Sequence, residues 1–262
     1  MVRLIKQFSK NKRCYYCGAP PPSSREHAPV EVMFEAFDCD SITVPSCDKH
    51  NTEKNLDDRA IVELLIKGLF IKFRYGSLTQ NTLKAIEAAY PKLGNANEVS
   101  LRSWVKDPRG ELDTHLSYLD KQVDINKWMI KLTAALVWSV IGDFDEAIEW
   151  DNAIAWSPEF VKGDDALGIE QAGLKLQKFR KLKTEITSLG AKWWSGWSAY
   201  PRSYPPDIYH FEISFLPSQY FLEDSSELEI IFRHRFYSTF SWYVWFTASK
   251  ATKQSIMSIV RK

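Results

Sequence analysis

Long apolar runs, a secretory leader and a one-sided charge are all missing from this chain of 262 residues. Its most apolar helical stretch, WMIKLTAALVWSVIG (128–142), is shorter than the roughly 20 residues that a membrane span needs, and it contains Lys131. The basic start, MVRLIKQFSKNKR, has too short an apolar run for a signal peptide. We therefore expect a soluble, cytoplasmic protein with no membrane partner.

The charges nearly cancel, with 34 lysines and arginines against 33 aspartates and glutamates. No global positive field therefore indicates a nucleic-acid partner, although local basic patches are enough for phosphate binding. Hydrophobic residues make up 45% of the chain and aromatic residues 14%, which allows a sizeable core.

Three regions differ in composition and predict an α+β protein. Residues 1–58 are polar and hold all four cysteines. Residues 59–200 are mainly helical in pattern, with buried helices predicted at DDRAIVELLIKGLFIKF and at INKWMIKLTAALVWSVIG, the second ended by Gly142. Residues 201–262 are rich in strand patterns, namely IYHFEISF, LEIIFRHRF and TFSWYVWFTA.

The cysteines of the first region have the spacing of metal ligands. Cys14 and Cys17 form a C-x-x-C turn, and Cys47 and His50 form a C-x-x-H turn of equal size. In a reducing compartment such a pair predicts a tetrahedral structural zinc site rather than disulfides. Cys39 is an alternative fourth ligand, but the symmetric turns favour His50.

The segment between the two turns predicts a small β-β-α unit. REHAPVEVMF and DCDSITVPSC each contain a short apolar or β-branched run, which indicates two facing strands. The second turn leads into NTEKNLDD, where Asn51 or Thr52 is a candidate N-cap of a helix. Structural zinc would stabilise a unit this short by about 10 kcal/mol.

This order of motifs resembles the HNH endonuclease family, in its zinc-stapled bacterial form. The resemblance covers about residues 12–58: C-x-x-C, Glu-His-x-Pro, a strand ending in ITVPSC, then a second turn followed by an amide residue and lysine. It implies a ββα-metal nuclease module at the N-terminus, and therefore an enzyme.

The resemblance implies roles for four residues around a catalytic metal. His27 matches the general base that deprotonates the attacking water. Asn51 and Glu26 match the ligands of one divalent cation, Mg²⁺ or Mn²⁺. Asp40 replaces the family's middle asparagine and is expected to orient His27. A second departure is His50 in place of the usual fourth cysteine, which keeps tetrahedral zinc.

Basic residues near the motif are candidate nucleic-acid contacts: Lys54, Arg25, Lys12 and Arg13. The alternative for each is an ordinary solvated surface charge. We expect a metal-dependent endonuclease acting on DNA in bacterial or phage defence, with a protein partner or a homo-oligomer formed through residues 59–262 left open. A non-catalytic zinc-stapled module that binds nucleic acid or protein is the alternative, and an RNA-cutting toxin is a third class.

Overall fold

The computed structural model describes residues 13–20, 24–37, 39, 42–72, 78–89, 124–141, 148, 150–156, 194–195, 205–215 and 227–249. At residues 52–57, 67, 70–72, 140–141, 156, 194–195, 215 and 227–229 it describes the backbone alone. Helices and antiparallel sheets occur together in these segments. The predicted α+β class is therefore confirmed.

The N-terminal part has the predicted order of strand, strand and helix. Strand β1 (Ser24–His27) pairs antiparallel with β2 (Thr43–Ser46), and helix α1 (Asp48–Lys72) follows directly. Because side chains alternate along a strand, neighbouring residues of β1 point to opposite faces of the two-stranded sheet.

Helix α1 begins earlier than the sequence predicts. The carbonyl of Cys47 accepts the N–H of Asn51 at 3.0 Å, which is the first turn of the helix. Cys47 is therefore the residue at the N-cap, and the predicted cap at Asn51 or Thr52 is wrong. Asp48 in the first turn favours this start because its negative charge faces the positive end of the helix dipole. The helix also runs without a break through the predicted domain boundary at 58.

Two further helices follow, α2 (Gln80–Ala89) and α3 (Ile125–Ile141). Helix α3 ends one residue before Gly142, as predicted. Helix α3 is buried over most of its length. It contacts β2 and α1 of the N-terminal part and also the larger sheet. Within the described segments, no helix has the length and apolarity that a membrane crossing requires.

The larger sheet has five antiparallel strands in the order β3-β7-β6-β5-β4. Its members are β3 (Ile154–Trp156), β4 (Trp194–Ser195), β5 (Tyr209–Phe215), β6 (Glu227–Phe236) and β7 (Phe240–Ser249). The three strands predicted in the C-terminal region are β5, β6 and β7. Strands β3 and β4 are short and lie within residues 59–200, the region that the sequence predicts to be mainly helical.

One hydrophobic core joins the N-terminal unit to the sheet. Buried apolar residues from Cys14 to Ala248 form a single cluster. The ring of Phe34, just after β1, packs edge-on against Tyr209 of β5 with a centroid separation of 6.5 Å. The indole of Trp128 in α3 donates a 2.6 Å hydrogen bond to Asp58 of α1. The predicted division at residues 58 and 200 stays a prediction.

Candidate functional site

The four predicted zinc ligands lie together, although they come from two separate turns. The sulfur atoms of Cys14, Cys17 and Cys47 and a ring nitrogen of His50 all lie within 4.8 Å of one another. His50 Nδ1 is 3.1 Å from Cys47 Sγ and 3.6 Å from Cys14 Sγ, and the sulfurs of Cys17 and Cys47 are 3.9 Å apart.

These separations fit one tetrahedral ion. Zinc–sulfur bonds of about 2.3 Å and a zinc–nitrogen bond of about 2.0 Å give tetrahedral edges of about 3.8 Å for S–S and about 3.5 Å for S–N. All four cysteines are free, so no disulfide competes for the sulfurs. The Cys₃His cluster is therefore compatible with a structural metal such as zinc.

Local backbone geometry brings the first pair of ligands together. The N–H of Gly18 donates to the carbonyl of Cys14 at 3.0 Å, and Gly18 has a φ of 69°, a conformation that glycine adopts without steric penalty. The N–H of Tyr15 donates to the carbonyl of Pro45 at 2.9 Å, which ties this turn to β2.

The second pair lies at the start of α1. Cys47 precedes the helix and His50 lies in its first turn, so a spacing of three residues puts both on one side of the helix. The choice between Cys39 and His50 is resolved in favour of His50, because Cys39 is not a member of the cluster. It is half-buried against the hydrophobic core instead.

Glu26 and His27 are adjacent in β1 and therefore lie on opposite faces. Glu26 is 3% exposed, whereas the side chain of His27 is 33% exposed. Pairing places His27 beside Thr43 and Glu26 beside Val44, which is fully buried. His27, the predicted base, thus lies on the outer face of the hairpin. Glu26, the predicted cation ligand, lies on the inner face.

The carboxylate of Glu26 already has hydrogen-bond donors. The hydroxyl of Tyr15 donates to Oε1 at 2.8 Å, and the hydroxyl of Ser46 lies 3.5 Å from Oε2 and 3.3 Å from the carbonyl oxygen of Cys47, so its proton is shared between them. Burial, followed by the charge of Glu26, raises the pKa of Tyr15 well above its usual value of 10.0. Tyr15 is therefore protonated and able to donate over the whole physiological range.

His27 has an acidic neighbour that the sequence did not single out. Its Nδ1 lies 3.3 Å from Oε2 of Glu31, four residues later, in a short 3₁₀ turn (Glu31–Met33). A signal existed, since a turn after the Glu-His-x-Pro motif brings the next acidic residue back toward the strand. Asp40, the residue predicted to orient His27, lies outside the described residues.

The remaining predicted site residues are described only in part. Asn51 is half-buried in the first turn of α1, immediately after His50 of the Cys₃His cluster. Arg13 and Arg25 are exposed, and Arg25 shares the outer face of β1 with His27. The side chain of Lys54 and the whole of Lys12 lie outside the described residues. The roles of all these residues stay predictions.

Comparison with known proteins adds no further assignment: no protein-family model, curated protein or solved structure matches the chain. The fold and the cluster define the class as an α+β protein with a Cys₃His cluster that is compatible with a bound metal.

Proposed function

We propose that the protein is a metal-dependent endonuclease of the HNH type that hydrolyses phosphodiester bonds in DNA. The observation that carries the proposal is the Cys₃His cluster, which brings the turn before β1 to the start of the helix in a β-β-α unit. The cluster fixes the start of the helix that carries Asn51 against the hairpin that carries His27. These are the two residues on which the resemblance to HNH nucleases places the chemistry.

His27 is the general base in this proposal. Glu31 beside Nδ1 favours the tautomer that carries its proton on that atom, which leaves Nε2 to accept a proton from water. The water oxygen attacks phosphorus, the bond to the 3′ oxygen breaks and that oxygen takes a proton from solvent water, which leaves a 5′ phosphate and a 3′ hydroxyl.

Asn51 would be one protein ligand for the catalytic cation, Mg²⁺ or Mn²⁺, because its amide oxygen is the hard donor that such ions prefer. The cation, when bound, stabilises negative charge on the phosphoryl group and on the leaving oxygen. Glu26 is the second predicted ligand, but it must leave its bonds to Tyr15 and Ser46 to serve in this way.

The test uses purified full-length protein and supercoiled plasmid with Mg²⁺ or Mn²⁺, then with EDTA. Wild type should nick the plasmid only with the divalent cation, and His27→Ala should lose about 10²- to 10⁴-fold in rate, the usual contribution of a general base. His210→Ala is the matched control, since that histidine on β5 is similarly exposed at 30%. Absence of nicking with every cation, or equal nicking by His27→Ala, would overturn the proposal.

The second candidate is a non-catalytic zinc-stapled module that binds nucleic acid or protein. The hydrogen bond from Tyr15 to Glu26 favours this second candidate, because one of the two predicted cation ligands already binds a protein group. It predicts a gel shift of DNA without cleavage, whereas an RNA-cutting enzyme would degrade RNA in preference to duplex DNA. The endonuclease proposal also includes a cytoplasmic location, a role in defence, and a protein partner or a homo-oligomer.

A further inference from the structure

The inner face of the small hairpin holds a carboxylate that bridges two turns of the chain. Glu26 accepts a hydrogen bond from Tyr15 at 2.8 Å and has a longer contact, at 3.5 Å, with the hydroxyl of Ser46, whose single proton is shared with the carbonyl of Cys47 at 3.3 Å. Tyr15 directly follows the metal ligand Cys14, and Ser46 directly precedes the metal ligand Cys47. Each donor therefore belongs to one half of the Cys₃His cluster.

Burial makes these bonds necessary. A carboxylate that is 3% exposed has lost most of its hydration, and hydrogen bonds from protein groups must replace it. Charge-assisted hydrogen bonds of this kind are stronger than neutral ones. Removing a donor therefore leaves a buried carboxylate that is less well solvated than in the native protein.

The carboxylate and the metal centre close the same loop. A metal held by Cys17 and Cys47 joins the segment before β1 to the segment after β2, and Glu26 joins these two segments through Tyr15 and Ser46. When one link has already brought the two segments together, the second link has less conformational entropy to remove. Binding at the two links is then mutually favourable, and this coupling is reciprocal.

We propose that Glu26 is a positioning residue that couples the Cys₃His metal centre to strand β1, rather than a ligand of a catalytic cation. Its anchoring on the inner face fixes the strand so that His27 stays on the outer face. The coupling to the metal centre stands independently of catalysis, whereas the consequence for His27 rests on the proposed nuclease function.

The first arm of the test measures zinc affinity by chelator competition in the full chain, with Tyr15→Phe, Glu26→Gln and the double variant. Each single variant should bind zinc about 10-fold more weakly, the usual effect of one hydrogen bond to a charged group. The double variant should be clearly less than 100-fold weaker, because both changes break the same bond. Circular dichroism at saturating zinc checks that each variant folds.

Tyr237→Phe is the matched control for the first arm. It also removes a buried tyrosine hydroxyl, but one that has no hydrogen-bond partner among the described residues. Its zinc affinity should equal that of wild type. Wild-type affinity in Tyr15→Phe, or fully additive losses in the double variant, would overturn the proposal.

The second arm separates positioning from cation ligation. Plasmid nicking is measured across Mn²⁺ concentrations at saturating zinc. A positioning role predicts a lower maximal rate in Glu26→Gln and Tyr15→Phe alike, with an unchanged half-maximal Mn²⁺ concentration. A selective rise of the half-maximal Mn²⁺ concentration in Glu26→Gln would instead show a cation ligand and overturn the proposal.

A third arm needs no activity, so that failure of the nuclease proposal does not affect it. Imidazole ¹H–¹⁵N spectra of zinc-loaded protein report the environment of His27, with His210 as internal reference. In Tyr15→Phe the His27 signals should shift or broaden and the His210 signals should stay in place. Unchanged His27 signals would show that the bridge does not position the strand.

Discussion

The hydroxyl of Thr133 in α3 lies 2.8 Å from Nε2 of His234 in β6, and both side chains are fully buried. On the other side of the ring, the hydroxyl of Tyr209 lies 3.0 Å from Nδ1. Thr133 in turn donates to the carbonyl of Met129 at 2.9 Å. A neutral imidazole satisfies this chain, with Tyr209 donating to Nδ1 and the Nε2–H donating to Thr133.

The buried His234 predicts loss of stability in mild acid. Burial, followed by the charge of His210, lowers the pKa of His234 from 6.5 to about 3. Between these two values the unfolded chain binds a proton that the folded chain does not, so stability is full above pH 6.5 and falls as the pH drops toward 3. The expected slope is up to about 1.4 kcal/mol per pH unit. Urea unfolding at pH 7.5, 6.5 and 5.5 measures it.

His234→Gln is the comparison for this measurement, because glutamine fills part of the site and has no proton to gain. The variant should be less stable than wild type at pH 7.5 but should lose less stability between pH 6.5 and 5.5. His210 contributes with the same sign, since burial also lowers its pKa. Equal slopes in wild type and His234→Gln would contradict the assignment.

Gly68 marks the close approach of α1 to the start of β7. A Cβ atom at this position would lie 2.8 Å from the ring tip of Phe240, which is buried. Gly68→Ala should therefore destabilise the protein by about 1–3 kcal/mol, although alanine favours a helix by about 1 kcal/mol over glycine. Urea unfolding measures the change. Adding Phe240→Leu should recover part of the loss, and a net stabilisation by Gly68→Ala alone would show that the ring is free to move.

The sequence predicted correctly those features whose signal is local, such as a ligand spacing, an apolar run or an alternation of side chains. The spacing of the cysteines with His50 predicted the metal cluster, and the apolar run ending before Gly142 predicted α3. Strands β5, β6 and β7 were predicted from alternating β-branched and aromatic residues. Each of these signals lies within one short window of sequence.

Features that depend on distant partners were not predictable in this way. Strand β3 is three residues long and β4 is two, and each exists through pairing with a strand far along the chain. Alternation implied that Glu26 and His27 face opposite sides, but not which side is buried. That depends on distant elements such as α3, which contacts β2 and which only the folded chain brings to the hairpin.

Metal removal should destabilise the N-terminal unit. The Cys₃His cluster joins the turn before β1 to the start of α1, so chelation with EDTA or phenanthroline removes this link and should lower the melting temperature. Wild type should contain about one zinc per chain by elemental analysis. Cys17→Ser should lose the zinc and melt at a lower temperature.

Cys39→Ser is the control for metal removal, since Cys39 is outside the cluster. It should keep its zinc and respond to chelator as wild type does. Equal zinc loss in both variants would mean that the cluster does not hold the ion, and no effect of Cys17→Ser would mean the same.

Arg13 and Arg25 should contribute to DNA binding through phosphate contacts, if the proposed substrate is correct. Both are exposed, and Arg25 shares a strand face with His27. Neutralising one phosphate contact weakens binding and reduces the slope of log affinity against log salt by about 0.9. Fluorescence anisotropy of a duplex across salt concentrations, on a His27→Ala background to prevent cleavage, gives the slope. Arg13→Gln and Arg25→Gln should each reduce it, whereas Lys127→Gln, an exposed change at the start of α3, should not. An equal reduction by all three would indicate a general loss of positive charge rather than a DNA path beside His27.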